Sequence, residues 1–145
     1  MKFLGTLQPL GLLLLRVALA IIFVYHGFPK LMHSGPEMRA FFVQHGLPGY
    51  FLTVSGILEC FGGLLLFLGL FTRPAALLLA TEMSVALWKV HSAHGIMAVN
   101  QYEFPLSVGA ACFALATIGA GLASMDHLLW GEGAKRRKAT KSNRD

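Results

Sequence analysis

Apolar residues occur along this chain in four long blocks that are separated by short polar segments. The blocks cover residues 10–31, 50–71, 74–90 and 103–123. A helix needs about 20 apolar residues to cross ~30 Å of hydrocarbon, so each block has roughly the required length. Backbone polar groups must be satisfied internally within lipid. The pattern therefore predicts an all-α fold, a transmembrane four-helix bundle.

The segment between the first two blocks has a helical pattern of its own. Over residues 37–45, Met38, Phe41 and Phe42 fall on one side of a helix, which is typical of a short helix lying in the membrane interface. We interpret residues 1–131 as one four-span membrane domain. Residues 132–145 are interpreted as a basic, disordered cytoplasmic tail.

The composition excludes an ordinary soluble domain. Hydrophobic residues make up 55% of the chain and charged residues 13%, about half the charged fraction of soluble domains. The net charge of +5 does not indicate nucleic-acid binding, because six of the twelve Lys and Arg residues lie in the last eleven positions, after the final block. Such a cluster is typical of a cytoplasmic tail near anionic lipid.

The basic residues also predict an orientation. With both termini in the cytoplasm, eight Lys and Arg residues lie inside, whereas only Lys30, Arg39 and Lys89 lie outside. That distribution agrees with the positive-inside rule. The two cysteines, Cys60 and Cys112, lie in separate apolar blocks without a Cys-x-x-Cys motif, so a thiol-exchange site is not predicted.

Three charged residues interrupt the apolar blocks. Glu59 and Glu82 lie near the middle of the second and third blocks, and Arg16 lies within the first. Ionised groups at this depth are costly unless they face the bundle interior and find partners. We expect Arg16, Glu59 and Glu82 to converge in a buried polar site. One carboxylate would pair with Arg16, and the other would be protonated or linked to water. A structural clamp that fixes helix register is the alternative interpretation.

A second group of polar residues lies near the outer ends of the predicted helices. It could hold a quinone headgroup or a small anion, whereas histidines at span ends more often anchor at the interface than bind metal or haem. We predict no metal site. The members of this group are His26, Lys30, Lys89, His91, His94 and Glu103.

The chain resembles the DoxX family of small four-span bacterial membrane proteins. The resemblance covers about residues 10–126 and depends on the order of several short motifs. These motifs are Arg16…Tyr25-His26-Gly27…Lys30, Gly46-Leu47-Pro48, Glu59…Gly62-Gly63…Gly69…Thr72-Arg73, Glu103-Phe104-Pro105-Leu106 and Gly119-Ala120-Gly121…Ser124-Met125-Asp126.

The resemblance implies a multi-pass protein of the bacterial inner membrane, linked to redox metabolism. Family members include a subunit of a thiosulfate:quinone oxidoreductase and membrane partners of oxidative-stress proteins. The family implies no settled catalytic residues, and this chain lacks the cysteine pair of thiol-oxidising four-helix proteins.

Three functions remain open from the sequence. The leading hypothesis is an accessory or electron-transfer-associated component of a membrane redox system, working with other membrane or redox proteins; a homodimer is also considered. The second is a quinone-reducing oxidoreductase subunit that acts on a small donor such as thiosulfate. The third is a small-solute or proton-linked transporter that uses the carboxylates as a relay. Quinone is the one cofactor considered, and no nucleic-acid partner is expected.

Overall fold

The computed structural model describes residues 5–33, 35–91 and 99–131, without the side chains of residues 91, 99, 101 and 131. His94 and the predicted tail, residues 132–145, lie outside the described residues. The described chain forms an all-α bundle, as predicted. Its helices are α1 (Gln8–Met32), α2 (Pro36–Gln44), α3 (Phe51–Leu68), α4 (Thr72–Ala86) and α5 (Val99–Ile118), with π-helical turns at Leu87–His91 and His127–Gly131.

Close helix contacts show that successive long helices run antiparallel. A Cβ at Gly27 of α1 would lie 2.8 Å from the Cβ of Glu59, and a Cβ at Gly63 of α3 would lie 3.1 Å from the carbonyl oxygen of Ala20. The missing side chains let α1 and α3 pack backbone to backbone, as membrane helices commonly do. Helices α4 and α5 form the second pair, in which Met83 packs against Gly109.

The core lies where the two helix pairs meet. It consists of large and small apolar side chains from α1, α3, α4 and α5, and most of them are less than 5% exposed. The outer surface, by contrast, is covered with exposed leucine, isoleucine and phenylalanine side chains. Core members include Leu19, Phe23, Leu66, Leu79, Cys112 and Leu115, and outward-facing residues include Leu14, Ile21, Phe61, Leu77 and Phe113.

This apolar exterior suits a helix bundle surrounded by lipid. Of the described helices, α1 and α3 are long and apolar enough to cross a membrane, and Tyr102–Ile118 is a shorter apolar helical stretch. Helix α4 is extended by the π-helical turn Leu87–His91, so helical structure reaches the end of the third apolar block.

Two helix ends lie close together at the far end of the bundle from α2. Gly69 ends α3 in the left-handed region, with φ 66°. The segment after α5 then returns to this turn, where the Asp126 carboxylate accepts hydrogen bonds from the backbone N–H groups of Phe71 and Thr72 at 2.7 and 2.9 Å. Asp126 thereby caps the start of α4 from a distant part of the chain.

The end of the last long helix differs from the sequence-based expectation. The fourth apolar block runs to residue 123, but α5 ends at Ile118. Gly119 and Gly121 adopt φ values of 94° and 78°, which a helix does not allow. Leu122, beyond the end of α5, is exposed on the outer surface, so the apolar exterior of the bundle continues past this helix.

Candidate functional site

A row of four polar side chains crosses the bundle between α1, α3 and α4. Lys30 Nζ lies 2.7 Å from Glu59 Oε2 and donates a hydrogen bond of 2.9 Å to Ser55 Oγ. Ser55 Oγ in turn donates to Glu82 Oε1 at 2.5 Å. We call Glu59, Lys30, Ser55 and Glu82 the polar row. The two midspan carboxylates are thus joined through one lysine and one hydroxyl.

Local sequence explains why the row can form. Ser55 and Glu59 are one turn apart on α3 and therefore share a face. Gly56, between them, lets α1 approach, since a Cβ there would meet Lys30 and Leu31 at 3.0 Å. Lys30 lies near the C-terminal end of α1, and its long stem turns towards the bundle interior. Its side chain is 22% exposed, and that of Glu59 is 4% exposed.

The row leaves one carboxylate oxygen without a partner. Glu82 Oε2 is buried and accepts no hydrogen bond from the described residues. The row also contains two carboxylates but only one ammonium group. With both glutamates ionised it would carry one uncompensated negative charge in apolar surroundings, which is unfavourable. The free oxygen can therefore bind a proton or a hydrogen-bond donor from a ligand.

A cavity of about 270 Å³ is lined by all four residues of the polar row. We call it the α2-side cavity, since Phe42 of α2 and Leu47 of the following loop also line it. Its remaining walls are mostly apolar side chains of α3 and α4, and its exposed edge is formed by Phe51, Val54, Leu78 and Thr81. A cavity with a mostly apolar edge and a few convergent polar groups is a typical ligand site.

The predicted pairing of Arg16 with a glutamate is wrong. The Arg16 guanidinium is 2% exposed and donates to the backbone carbonyls of Leu66, Phe67, Ala120 and Ala123, at 2.7–3.1 Å. These carbonyls belong to the end of α3 and to the segment after α5. Glu59 precedes Leu66 by seven residues, about 10 Å along α3, so its carboxylate lies out of reach of the Arg16 guanidinium. Glu82 bonds Ser55, which lies one turn further along α3, and is also out of reach.

The outer group does not form a single site among the described residues. Lys30 belongs to the polar row, and His26 lies exposed on α1 with its ring centroid 5.2 Å from that of Phe104. Lys89 lies above the Trp88 ring, 4.7 Å from its centroid, and Glu103 is exposed on α5. Only the backbone of His91 is described. The described residues contain no cluster of three His, Cys, Asp or Glu that could hold a metal ion.

Sequence reasoning assigned Lys30 to the wrong group and did not include Ser55 in the site. The signal for Ser55 was present in its spacing from Glu59. Lys30 was placed by its Cα position near the helix end, which ignores a side chain long enough to reach one turn deeper. Asp126 and its capping of α4 gave no signal in helical periodicity because the residue follows the last long helix.

The sequence matches known proteins along most of the described bundle. A family model described as DoxX matches residues 11–92. An uncharacterized protein of Haemophilus influenzae is 38% identical over 86 residues, which cover 59% of this chain and 63% of that protein, slightly less than two thirds of its length. No solved structure matches.

Two further relatives cover more of their own length. The Bacillus subtilis protein named "Putative oxidoreductase CatD" is 34% identical over 97 residues, which cover 67% of this chain and 72% of the relative. The Escherichia coli protein named "Inner membrane protein YqjF" is 29% identical over 126 residues, covering 85% of this chain and 95% of the relative. Together with the apolar helices, these matches identify a membrane protein.

Proposed function

This chain belongs to the DoxX family, and from that premise we propose that it serves a redox system of the bacterial inner membrane by binding a quinone headgroup at the polar row. The observation that carries the proposal is the buried, unpartnered Oε2 of Glu82, a residue that lines a largely apolar cavity. We place the protein in the membrane as four spans with both termini in the cytoplasm.

The chemistry of the row fits a quinone headgroup. A quinone presents carbonyl oxygens that accept hydrogen bonds, and its reduced form presents hydroxyl groups that donate them. Lys30 supplies a donor and Glu82 Oε2 an acceptor, and the two groups are linked through Ser55. At about 270 Å³, the α2-side cavity is close to the lower limit of ~300 Å³ for small-molecule pockets, which suits a single ring rather than a larger ligand.

The route into the cavity also favours a lipid-soluble ligand. Phe51, Val54 and Leu78 form most of its exposed edge and lie on the apolar surface of the bundle, and Thr81 at the same edge is uncharged. A ligand dissolved in the bilayer can therefore enter sideways without crossing a charged surface. The name of the Bacillus subtilis relative, an oxidoreductase, agrees with a redox role.

Photolabelling with a short-chain azidoquinone tests the proposal on the full-length protein in nanodiscs. We expect saturable labelling of α3 and α4 peptides around Val54 and Leu78, which an unmodified short-chain quinone displaces. The Glu82→Gln substitution should weaken displacement of the label by the short-chain quinol about tenfold, because the amide removes the free acceptor for a quinol hydroxyl. Unsaturable labelling, or displacement by the quinol that is unchanged in Glu82→Gln, would overturn the proposal.

Glu103→Gln is the matched control because Glu103 is an exposed carboxylate on α5. It should label like the unaltered protein. Loss of labelling in Glu103→Gln alone would place the ligand in the outer group and also overturn the proposal.

A turnover assay then separates the enzyme from the accessory component. Quinone reduction by the pure protein with a small donor such as thiosulfate would make the chain an oxidoreductase subunit. Quinone binding without turnover, together with recovery of redox proteins on purification from native membranes, is the result we expect for an accessory component. Solute movement in liposomes without quinone binding would instead indicate a transporter.

A further inference from the structure

The Lys30–Glu59 ion pair separates two cavities of similar size. On its other side lies a cavity of about 290 Å³. We call it the α5-side cavity, because its outer wall is formed by Phe104, Pro105 and Val108 of α5. Lys30 and Glu59 line both cavities, so each cavity contacts the polar row from a different direction.

The entrances of the two cavities differ in polarity. The edge of the α2-side cavity is mostly apolar, and the hydroxyl of its one polar residue, Thr81, donates to the Leu77 carbonyl of its own helix. By contrast, His26 lines the α5-side cavity and is itself exposed. His26, Lys30 and Glu59 thus give this cavity polar groups from its mouth to its inner end. Water enters protein cavities that are polar and roomy, and a cavity of this size has space for several molecules.

The hydrogen bonds of the row have a fixed direction. An ammonium group can only donate, so Ser55 Oγ accepts from Lys30 and is left to donate its own hydrogen to Glu82. A proton can therefore move from Lys30 to the Ser55 oxygen as the Ser55 hydrogen moves to Glu82. Lys30 then regains a proton from water in the α5-side cavity. The row returns to its starting state once Glu82 has passed its proton to the quinone and the Ser55 hydroxyl has rotated back towards Glu82.

From this geometry we propose that the α5-side cavity is an aqueous mouth, through which protons pass from solvent at His26 along the polar row to Glu82. This inference deepens the proposed function and rests on it, because protons delivered to Glu82 would serve the reduction of a quinone in the α2-side cavity. Quinone would enter from lipid on one side of the row, and protons would enter from water on the other.

Cysteine accessibility tests the aqueous mouth without any quinone. The background is Cys60→Ala, which retains Cys112 because that thiol is fully buried. Phe104→Cys reports on the α5-side mouth, and Val54→Cys on the edge of the α2-side cavity. Phe104 is 47% exposed and Val54 is 41% exposed, so the two positions are similarly accessible. Val54 lies nearer the start of its helix than Phe104 does, so depth in the membrane alone would favour labelling at position 54.

Proteoliposomes are treated with a membrane-impermeant trimethylammonium methanethiosulfonate reagent and, separately, with N-ethylmaleimide. We expect the charged reagent to label Phe104→Cys about tenfold faster than Val54→Cys, while the lipid-soluble maleimide labels both at similar rates. Equal rates with the charged reagent, a faster rate at position 54, or no reaction at position 104 would each overturn the proposal. His26→Cys provides a second reporter at the same mouth if Phe104→Cys does not fold.

Proton delivery is tested by blocking the mouth. Two equivalents of reduced methyl viologen, whose oxidation releases no protons, supply the two electrons that reduce bound quinone, and a pH-indicator dye follows the uptake of two protons. Once the charged reagent has reacted with the Phe104→Cys variant, proton uptake should slow about tenfold while azidoquinone labelling is unchanged. Uptake at an unchanged rate would overturn the relay. Failure of quinone to bind would refute the proposed function alone, because the labelling rates still decide whether the mouth is aqueous.

Discussion

Arg16 stabilises the bundle through backbone contacts rather than through an ion pair. Its guanidinium supplies donors to carbonyl groups at the end of α3 and after α5, where the helices leave them without intrahelical partners. The planar, multidentate guanidinium is suited to this task, whereas a lysine ammonium is a compact point donor. The positive charge also faces the negative end of the α3 dipole.

We therefore expect Arg16→Lys to lower the free energy of unfolding by about 3 kcal/mol, because several buried acceptors lose their donor. Arg73→Lys is the matched control, since Arg73 is exposed and makes a single 3.3 Å bond to the Ile118 carbonyl. Thermal unfolding in detergent measures both variants. Equal loss in the two variants, or no loss in Arg16→Lys, would contradict this account.

The two glutamates of the polar row should respond differently to neutralisation. Glu59→Gln removes the ionic partner of Lys30 and should lower the free energy of unfolding by about 2–3 kcal/mol. This loss is smaller than for a fully buried ion pair because Lys30 retains some contact with solvent. Glu82→Gln removes the uncompensated charge while its amide oxygen still accepts from Ser55, so stability should change by less than about 0.5 kcal/mol. Chemical unfolding in detergent would show the asymmetry. A larger cost for Glu82→Gln would refute the proposed charge distribution.

The sequence predicted that Glu59 and Glu82 face the interior, but not which cation would join them. The inward placement follows from the high cost of ionised groups in lipid, which admits few alternatives. The choice between Arg16 and Lys30 depends on axial depth and on side-chain reach. Helical periodicity gives the angle of a residue around its helix but leaves the offset between two helices undefined, so Arg16 was paired with a carboxylate that lies about two turns away.

At the scale of the elements, the contact between α1 and α3 depends on glycine. The backbone amide of Cys60 would lie 3.0 Å from a Cβ at Gly27, and backbone atoms cannot move aside as a flexible side chain can. The same contact positions Glu59 next to α1. Separation of these helices would therefore also disturb the polar row.

Gly27→Ala should destabilise the protein by about 1–3 kcal/mol through overpacking of this contact. Gly11→Ala on the same helix is the control, since a Cβ there has no neighbour within 4 Å and alanine favours the helix. Thermal unfolding of the two variants, with azidoquinone labelling as a second readout, measures the effect. A Gly27→Ala variant as stable as Gly11→Ala would show that α1 and α3 are not packed this closely.

At the scale of the whole molecule, much of the architecture followed from the apolar blocks. Lipid-length apolar segments leave few options other than helices, and successive segments that cross a membrane must run in opposite directions. The sequence could not give the end of α5, because the apolar run continues past the glycines that stop the helix. It also could not give the partners of the segment after α5, whose contacts are with residues far away in the chain.

The proposed four-span arrangement predicts the location of both ends of the chain. A fluorescent protein fused after residue 145 should fold and fluoresce in the cytoplasm, whereas alkaline phosphatase at the same place should be inactive. Alkaline phosphatase fused after Gly46, beyond α1 and α2, should be active outside. Active phosphatase at the C-terminus would contradict an even number of spans with a cytoplasmic start.

The contacts of Arg16 have a consequence for how the protein is made. Its carbonyl partners Ala120 and Ala123 are synthesised 104 and 107 residues later, and Asp126 follows them. While the ribosome is still producing α5, Arg16 has only its α3 partners and the start of α4 has no Asp126 cap. The nascent bundle can reach its final stability only when translation has passed this point, so incomplete chains would present an unfinished end of the bundle to membrane proteases.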